Sequence, residues 1–370
     1  MAAMPGPLSL SSPWLIMDNK IKARLFQFFA VLTGLIVAVV LAESTLRLLE
    51  IGYGNAPLES DFLLHHRHPK GYTFRVHIPS NDYGGHLIRY DLDGRSVNPA
   101  KTESGEKKDS LRIAFMGDSF VEATEVPFTE SVVGLMEKEG FGVIRNYGVS
   151  AYSPVLHLLQ WKHEVEKFAP HYVFLLLYSN DIGEDATYSE KSIKRDGEII
   201  AVPGSGNTYL TSIFRKSYFA RLIRKSQLRL EWLIKNRNNN GEEVIQSYLE
   251  ENPGLSALTE RTLLALRDEI RSKRGELILM AVPSKSRLRH RTEKFLTPEF
   301  SDNIKKWSEV NNMQFVDLVP AFQKAAEEER LFFDRDIHFN RNGHRIVFEA
   351  IKSAFSTIAV KPPLPSLDAS

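Results

Sequence analysis

The chain has no cysteine among its 370 residues. Disulfides, thiolate nucleophiles and cysteine-based metal sites are thereby excluded, while compartment stays open because many exported proteins lack disulfides. Charge of one sign is lacking as well: 47 Lys and Arg stand against 46 Asp and Glu, a formal +1, so no global field draws in nucleic acid and no nucleic-acid partner is expected. Metal-ligand spacing is also missing. His65, His66 and His68 lie close together, but no second ligand group follows at a recognised spacing, so they read as solvated surface histidines and neither a metal nor a cofactor is expected. What remains is 43% hydrophobic and 25% charged, enough to bury one large core with appendages.

Apolar residues concentrate near the N-terminus. Leu25 to Ala42 carries no charge, and its 18 positions make about 27 Å of helix, close to the hydrocarbon thickness of a bilayer. Lys20, Lys22 and Arg24 precede the run and Glu43, Arg47 and Glu50 follow it, which by the positive-inside bias leaves the N-terminus in the cytoplasm. A cleaved signal peptide and a buried core helix are the competing readings. Against them, no small-x-small site cleanly ends the run, the preceding 24 residues are long for a signal, and the run is apolar on every face. The expected layout is a cytoplasmic segment (1–24), a single transmembrane helix (25–45) in the inner or plasma membrane, and a stalk with a flanking extension (46–109). A catalytic domain (110–358) on the periplasmic or extracytoplasmic side and a disordered tail (359–370) complete it.

From residue 111 strands and helices alternate. Leu111–Met116, Gly142–Tyr147, Tyr172–Tyr178, Glu276–Val282 and Gln314–Val319 read as strands, and the third, YVFLLLY, is continuously apolar as a strand covered on both faces should be. Ser131–Lys138, Leu258–Ser272, Pro298–Val310 and Arg341–Phe355 read as helices. This alternation predicts a three-layer α/β/α sandwich with a mostly parallel sheet. Ligands bind such sheets at the carboxyl ends of strands, and Ser119, Gly148 and Asn180 each follow a predicted strand there.

Four blocks carry the chemistry: Gly117-Asp118-Ser119-Phe120, Asn146-Tyr147-Gly148, Asn180-Asp181 and Asp336-Ile337-His338. In this order they resemble the blocks of the SGNH (GDSL-type) hydrolases over roughly Leu111 to Thr357, and the layout with one N-terminal membrane helix resembles membrane-anchored bacterial members. The resemblance implies a serine hydrolase of SGNH/flavodoxin-like fold. The chemistry agrees: a serine hydroxyl needs an imidazole to accept its proton and a carboxylate to hold that imidazole, roles that Ser119, His338 and Asp336 fit. The N–H groups of Ser119 and Gly148 with the Asn180 amide suit an oxyanion hole, and glycine at 148 would let the backbone come close to the oxyanion.

Plainer roles compete. Ser119 can cap a helix, Asn180 can close an Asx-turn and Gly148 can be a turn glycine; Asp118 reads as a loop stabiliser, His344 as a packed helix histidine, and Asn340 or Asn342 as the cap of the last helix. Two departures stand out. Tyr178 occupies the position where the third family block has glycine, which would narrow the cleft. The last block has Arg335, not aspartate, three residues before His338; Asp336 matches the Asp-x-His form of SGNH-like polysaccharide O-acetyltransferases, with Asp334 as the fallback acid.

Residues 182–256 exceed what a minimal sandwich needs and read as an insertion or lid. It holds a basic amphipathic stretch, Leu210–Lys235, bearing Phe214, Tyr218, Phe219 and Trp232, that either meets lipid through Arg221, Arg224 and Lys225 or packs on the domain. Three functions stay open: an esterase cutting an acyl ester of a lipid or acylated glycan, an O-acyltransferase modifying an envelope polysaccharide, and a non-catalytic envelope protein binding carbohydrate or lipid.

Overall fold

The computed structural model describes residues 18–49, 58–77, 82–100, 110–205, 213–214, 216–235, 254–283, 285, 288 and 300–358. The charged stretch at 101–109, the Asn-rich loop at 236–241 and the tail from 359 lie outside these. The chain divides into two units, 1–51 and 52–370.

In the first unit, α1 (Asn19–Leu48) begins at Asp18, whose carboxylate accepts from the Lys20 N–H at 2.7 Å. Its 30 residues span about 45 Å at about 1.5 Å each, and no residue in it is buried. It is long and apolar enough to cross a membrane.

The second unit runs β1 (Glu59–Ser60), β2 (His66–Arg67), β3 (Thr73–His77), β4 (Gly84–Tyr90), β5 (Ser96–Val97), β6 (Arg112–Gly117), α2 (Ser119–Glu122), α3 (Val132–Glu139), β7 (Val143–Asn146), α4 (Pro154–Gln160) and β8 (Tyr172–Leu177). It continues with α5 (Asp181–Lys191), β9 (Ile193–Arg195), β10 (Glu198–Ala201), α6 (Tyr218–Lys235), α7 (Ala257–Ser272), β11 (Glu276–Ala281), α8 (Phe300–Val310), β12 (Gln314–Val316), α9 (Val319–Ala325) and α10 (Arg341–Ile358). Five strands form one parallel sheet in the order β12-β11-β8-β6-β7. The last strand stops three residues earlier than the sequence predicts, because Asp317 accepts from the Val319 N–H at 3.0 Å and Pro320 sits in the first turn of α9.

The continuous apolar runs are explained by two-sided burial. Along β6, Ile113 and Phe115 enter one core while Ala114 and Met116 enter the other; along β8, Phe174 and Leu176 alternate with Val173, Leu175 and Leu177 in the same way. Helices α3, α9 and α10 cover the first face, and α7 and α8 cover the second. The result is the α/β/α sandwich. The chain leaves β6 for β7 on one side and returns to β8 on the other, so the topological switch falls at the carboxyl ends of β6 and β8.

The described part of the expected stalk and extension is folded. Leu64 pairs with Val202 and shares a core with Val149, Tyr152 and Leu156, while Phe74, Val76, Ile88 and Tyr90 form another. His68 is not a solvated surface histidine: it is buried, with its ring stacked on Tyr90 at 4.1 Å.

Candidate active site

Gly117 ends β6 because a side chain there would collide with Val121 and the Leu176 carbonyl. Asp118, not Ser119, caps α2, accepting from the Phe120 N–H at 2.9 Å. This leaves the Ser119 hydroxyl unused by the cap. It lies 2.7 Å from Nε2 of His338, whose Nδ1 lies 2.5 Å from Asp336 Oδ1. Serine, imidazole and carboxylate therefore form one relay across 219 residues of sequence. Asp334 is elsewhere: exposed, it meets Arg330 at 2.6 Å.

His338 sits at the mouth of the loop before α10. Asn340, as expected for one of the two asparagines, caps that helix through the Asn342 and Gly343 N–H groups at 2.9 and 3.1 Å. Lys285, just beyond β11, donates to the carbonyls of Phe333, Asp334 and Asp336, the last at 2.9 Å, and so fixes the loop's path. Phe120 packs on the His338 ring at 4.9 Å and on Tyr178 at the same distance, so Tyr178 joins a wall of aromatic rings beside the imidazole. His344 is buried behind Phe339, and burial, with His338 adding to it, lowers its imidazole to about 3.

The other two blocks behave differently from the serine. Asn146 is a brace: its amide donates to the Val121 carbonyl at 2.8 Å and its oxygen accepts the Gly148 N–H at 2.8 Å. Glycine is needed at 148 because a Cβ would overlap the backbone of Val121 and Glu122. Asn180 is exposed, and its amide donates to Glu184 at 3.1 Å.

Four further residues escaped the sequence reading. Glu122 is buried and accepts from Tyr90 at 2.9 Å, from the Ser150 N–H at 2.8 Å and from the Ser150 hydroxyl, with His68 Nε2 at 3.1 Å. Burial alone would raise its carboxyl, but His68 and Ser150 bring it to about 2. Glu125, also buried, faces His338 Nδ1 at 3.4 Å. Tyr83, from the β3–β4 hairpin, hydrogen-bonds Asp336, and Lys285 completes the set. The available signal was two glutamates within the apolar stretch Phe120–Val126 directly after the serine.

Electrostatics favour an ionised pair. Burial would lower the His338 imidazole, but Glu125, Asp336 and Asp118 outweigh it and raise it to about 9. Burial likewise raises Asp336, yet its hydrogen bond and ionic attraction to His338 leave its carboxyl below the ordinary value. Such a site can activate a hydroxyl once the imidazole is neutral.

Residues 115–346 match the model of the GDSL-like lipase/acylhydrolase family. No curated protein sequence matches the chain. Similar solved structures include an acetyl xylan esterase (16% identity, TM-score 0.38, covering 66% of this chain and 99% of that one). An acetylxylan esterase from Geobacillus stearothermophilus is 18% identical, with TM-score 0.36 and coverage of 69% and 95%. A lipolytic protein of the G-D-S-L family from Veillonella parvula is 14% identical, with TM-score 0.37 and coverage of 66% and 98%.

Proposed function

The chain belongs to the GDSL-like lipase/acylhydrolase family and is an ester-hydrolysing enzyme, and from that premise we propose that it cuts acyl esters through an acyl-enzyme on Ser119. The observation that carries this reading is the Asp336–His338–Ser119 relay, with 2.5 and 2.7 Å between successive partners. In this mechanism His338 takes the hydroxyl proton as Ser119 attacks the ester carbonyl, and Asp336 holds the imidazole in the tautomer with Nδ1 protonated. His338 then returns the proton to the leaving alkoxide. A second acceptor, activated by the same imidazole, releases the acyl group.

The oxyanion is assigned to the Ser119 N–H at the first turn of α2, with Gly148 and Asn180 as further donors. Since Gly148 and Asn180 now donate to Asn146 and Glu184, each must share or exchange that bond as the tetrahedral intermediate forms.

With water as acceptor the enzyme is an esterase. The two-residue spacing from Asp336 to His338 and the apolar helix α1 support a second reading, transfer to a sugar hydroxyl of an envelope polysaccharide by a single-pass, extracytoplasmic enzyme. The test uses the full chain in detergent: fluorophosphonate labelling, then turnover of esters of graded acyl length. Ser119→Ala should abolish both, and a variant with wild-type turnover would defeat the reading. Incubation with an acetyl donor and a glycan then separates free acetate from acetylated sugar.

A further inference from the structure

We propose that Glu125 is a second carboxylate for His338, placed beside Asp336 at Nδ1 to set the pH at which the imidazole can take the Ser119 proton. The inference rests on the reading of Ser119, His338 and Asp336 as a triad.

Two elements bring carboxylates to one ring nitrogen. Asp336 arrives from the loop before α10 at 2.5 Å, and Glu125 Oε1 arrives from the turn after α2 at 3.4 Å. That turn is built for the purpose: Ala123 takes the left-handed conformation (φ 57°), and the Thr124 carbonyl accepts from His86 Nε2 at 2.9 Å. Glu125 is 5% exposed, and among the described residues it has no lysine or arginine partner. A buried carboxylate without a cation is costly, and His338 is the group that offers one.

The groups facing the imbedded ring are Glu125 and Asp336 at Nδ1, Asp118 before the serine, and His344 on α10. Tyr83 acts on it through Asp336, and Glu122 through Glu125. Each carboxylate favours the imidazolium, so Glu125 delays loss of its proton. Glu125 is raised by burial to about 7, His338 pulling against this, so its own charge changes near neutrality. Its role is positioning and tuning; it does not touch substrate.

The test follows fluorophosphonate labelling of Ser119 against pH in the full-length chain. Glu125→Gln should move the rising limb about one unit or more to lower pH, the size of effect a close charge produces. Glu125→Asp should restore part of the shift. A limb that stays in place while the plateau rate falls would mean a packing role and would overturn the proposal. If the wild-type chain is unlabelled at every pH, the triad reading fails. His338 is then followed directly by NMR of its ring carbon, where a lower midpoint in Glu125→Gln upholds the charge effect and an unchanged one rejects it.

Discussion

Which carboxylate holds His338 is decided by two aspartates of the same loop with opposite surroundings. Asp336 is half-buried against the ring, whereas Asp334 is exposed against Arg330. Asp336→Asn should therefore lower kcat by about 10⁴-fold, the loss a triad aspartate causes where the wrong tautomer results. Asp334→Asn should stay near wild type, and the reverse ranking would reassign the acid. Because His338 acts as a base only when neutral and its imidazole is raised to about 9, kcat/KM should climb through neutral pH towards that value. A pH–rate profile already flat at 6 would contradict it. Glu122 makes a separate prediction about stability. Its carboxyl is held at about 2, so its contribution is complete above the ordinary carboxylate range and is lost as pH falls towards 2. Glu122→Gln should cost about 3 kcal/mol near neutrality, the stability that its lowered carboxyl contributes there, and the gap from wild type should close on acidification. Denaturant unfolding at several pH values measures it.

Among the elements, strands were legible where burial on two faces left a run with no other meaning, as in β8, and helices where a cap stood before a periodic run, as at Ser131 for α3. Ser119 was legible because the sheet rim gave its short motif a place, and His338 because its motif stands just before the last helix. The β3–β4 hairpin was not: its contacts with the site, Tyr83 to Asp336 and His86 to Thr124, join residues far apart in sequence, and nothing local requires them. The β9–β10 hairpin could have been read from Asp196-Gly197, both at positive φ as a tight two-residue turn demands. Helix α6 corrects a detail of its basic face. Arg221 is buried, bonded to the Tyr72 hydroxyl at 3.0 Å and lying over Phe74, so it anchors the helix to the hairpin and is not available to lipid. Ile223, Leu230 and Ile234 line one exposed stripe, with Arg224 also exposed. That combination suits an anionic bilayer surface. Residues 58–358 should bind anionic vesicles, and Ile223→Ser with Leu230→Ser should weaken binding at least about tenfold, given about 1.5–3 kcal/mol for each buried side chain. Equal binding by the variant, or none by the parent, would leave α6 as a packing helix.

At the scale of the whole molecule, the family match begins at residue 115, yet the site does not. His68 and Tyr90 secure Glu122, which holds Ser150 near the Gly148 backbone; Tyr83 holds Asp336; His86 holds the turn that carries Glu125. Leu64 is completely buried against Val149, Tyr152 and Leu156, so the extension also closes part of the core. Deleting it would strip the buried Glu122 carboxylate of its Tyr90 hydrogen bond and its His68 contact, at about 1–3 kcal/mol for each partner lost. Uncovering the apolar surface under Leu64 adds about 1.5–3 kcal/mol more, against a total stability of about 5–15 kcal/mol for a typical domain. A chain of residues 58–358 should thus melt cooperatively and label with fluorophosphonate at the rate of the full-length protein. A chain of residues 110–358, the domain as the sequence delimits it, should melt far lower or not fold, and where it folds it should label slowly. Equal melting temperatures and labelling rates for the two would show that the extension is a mere spacer, and that the Glu122 network contributes nothing to the nucleophile's setting.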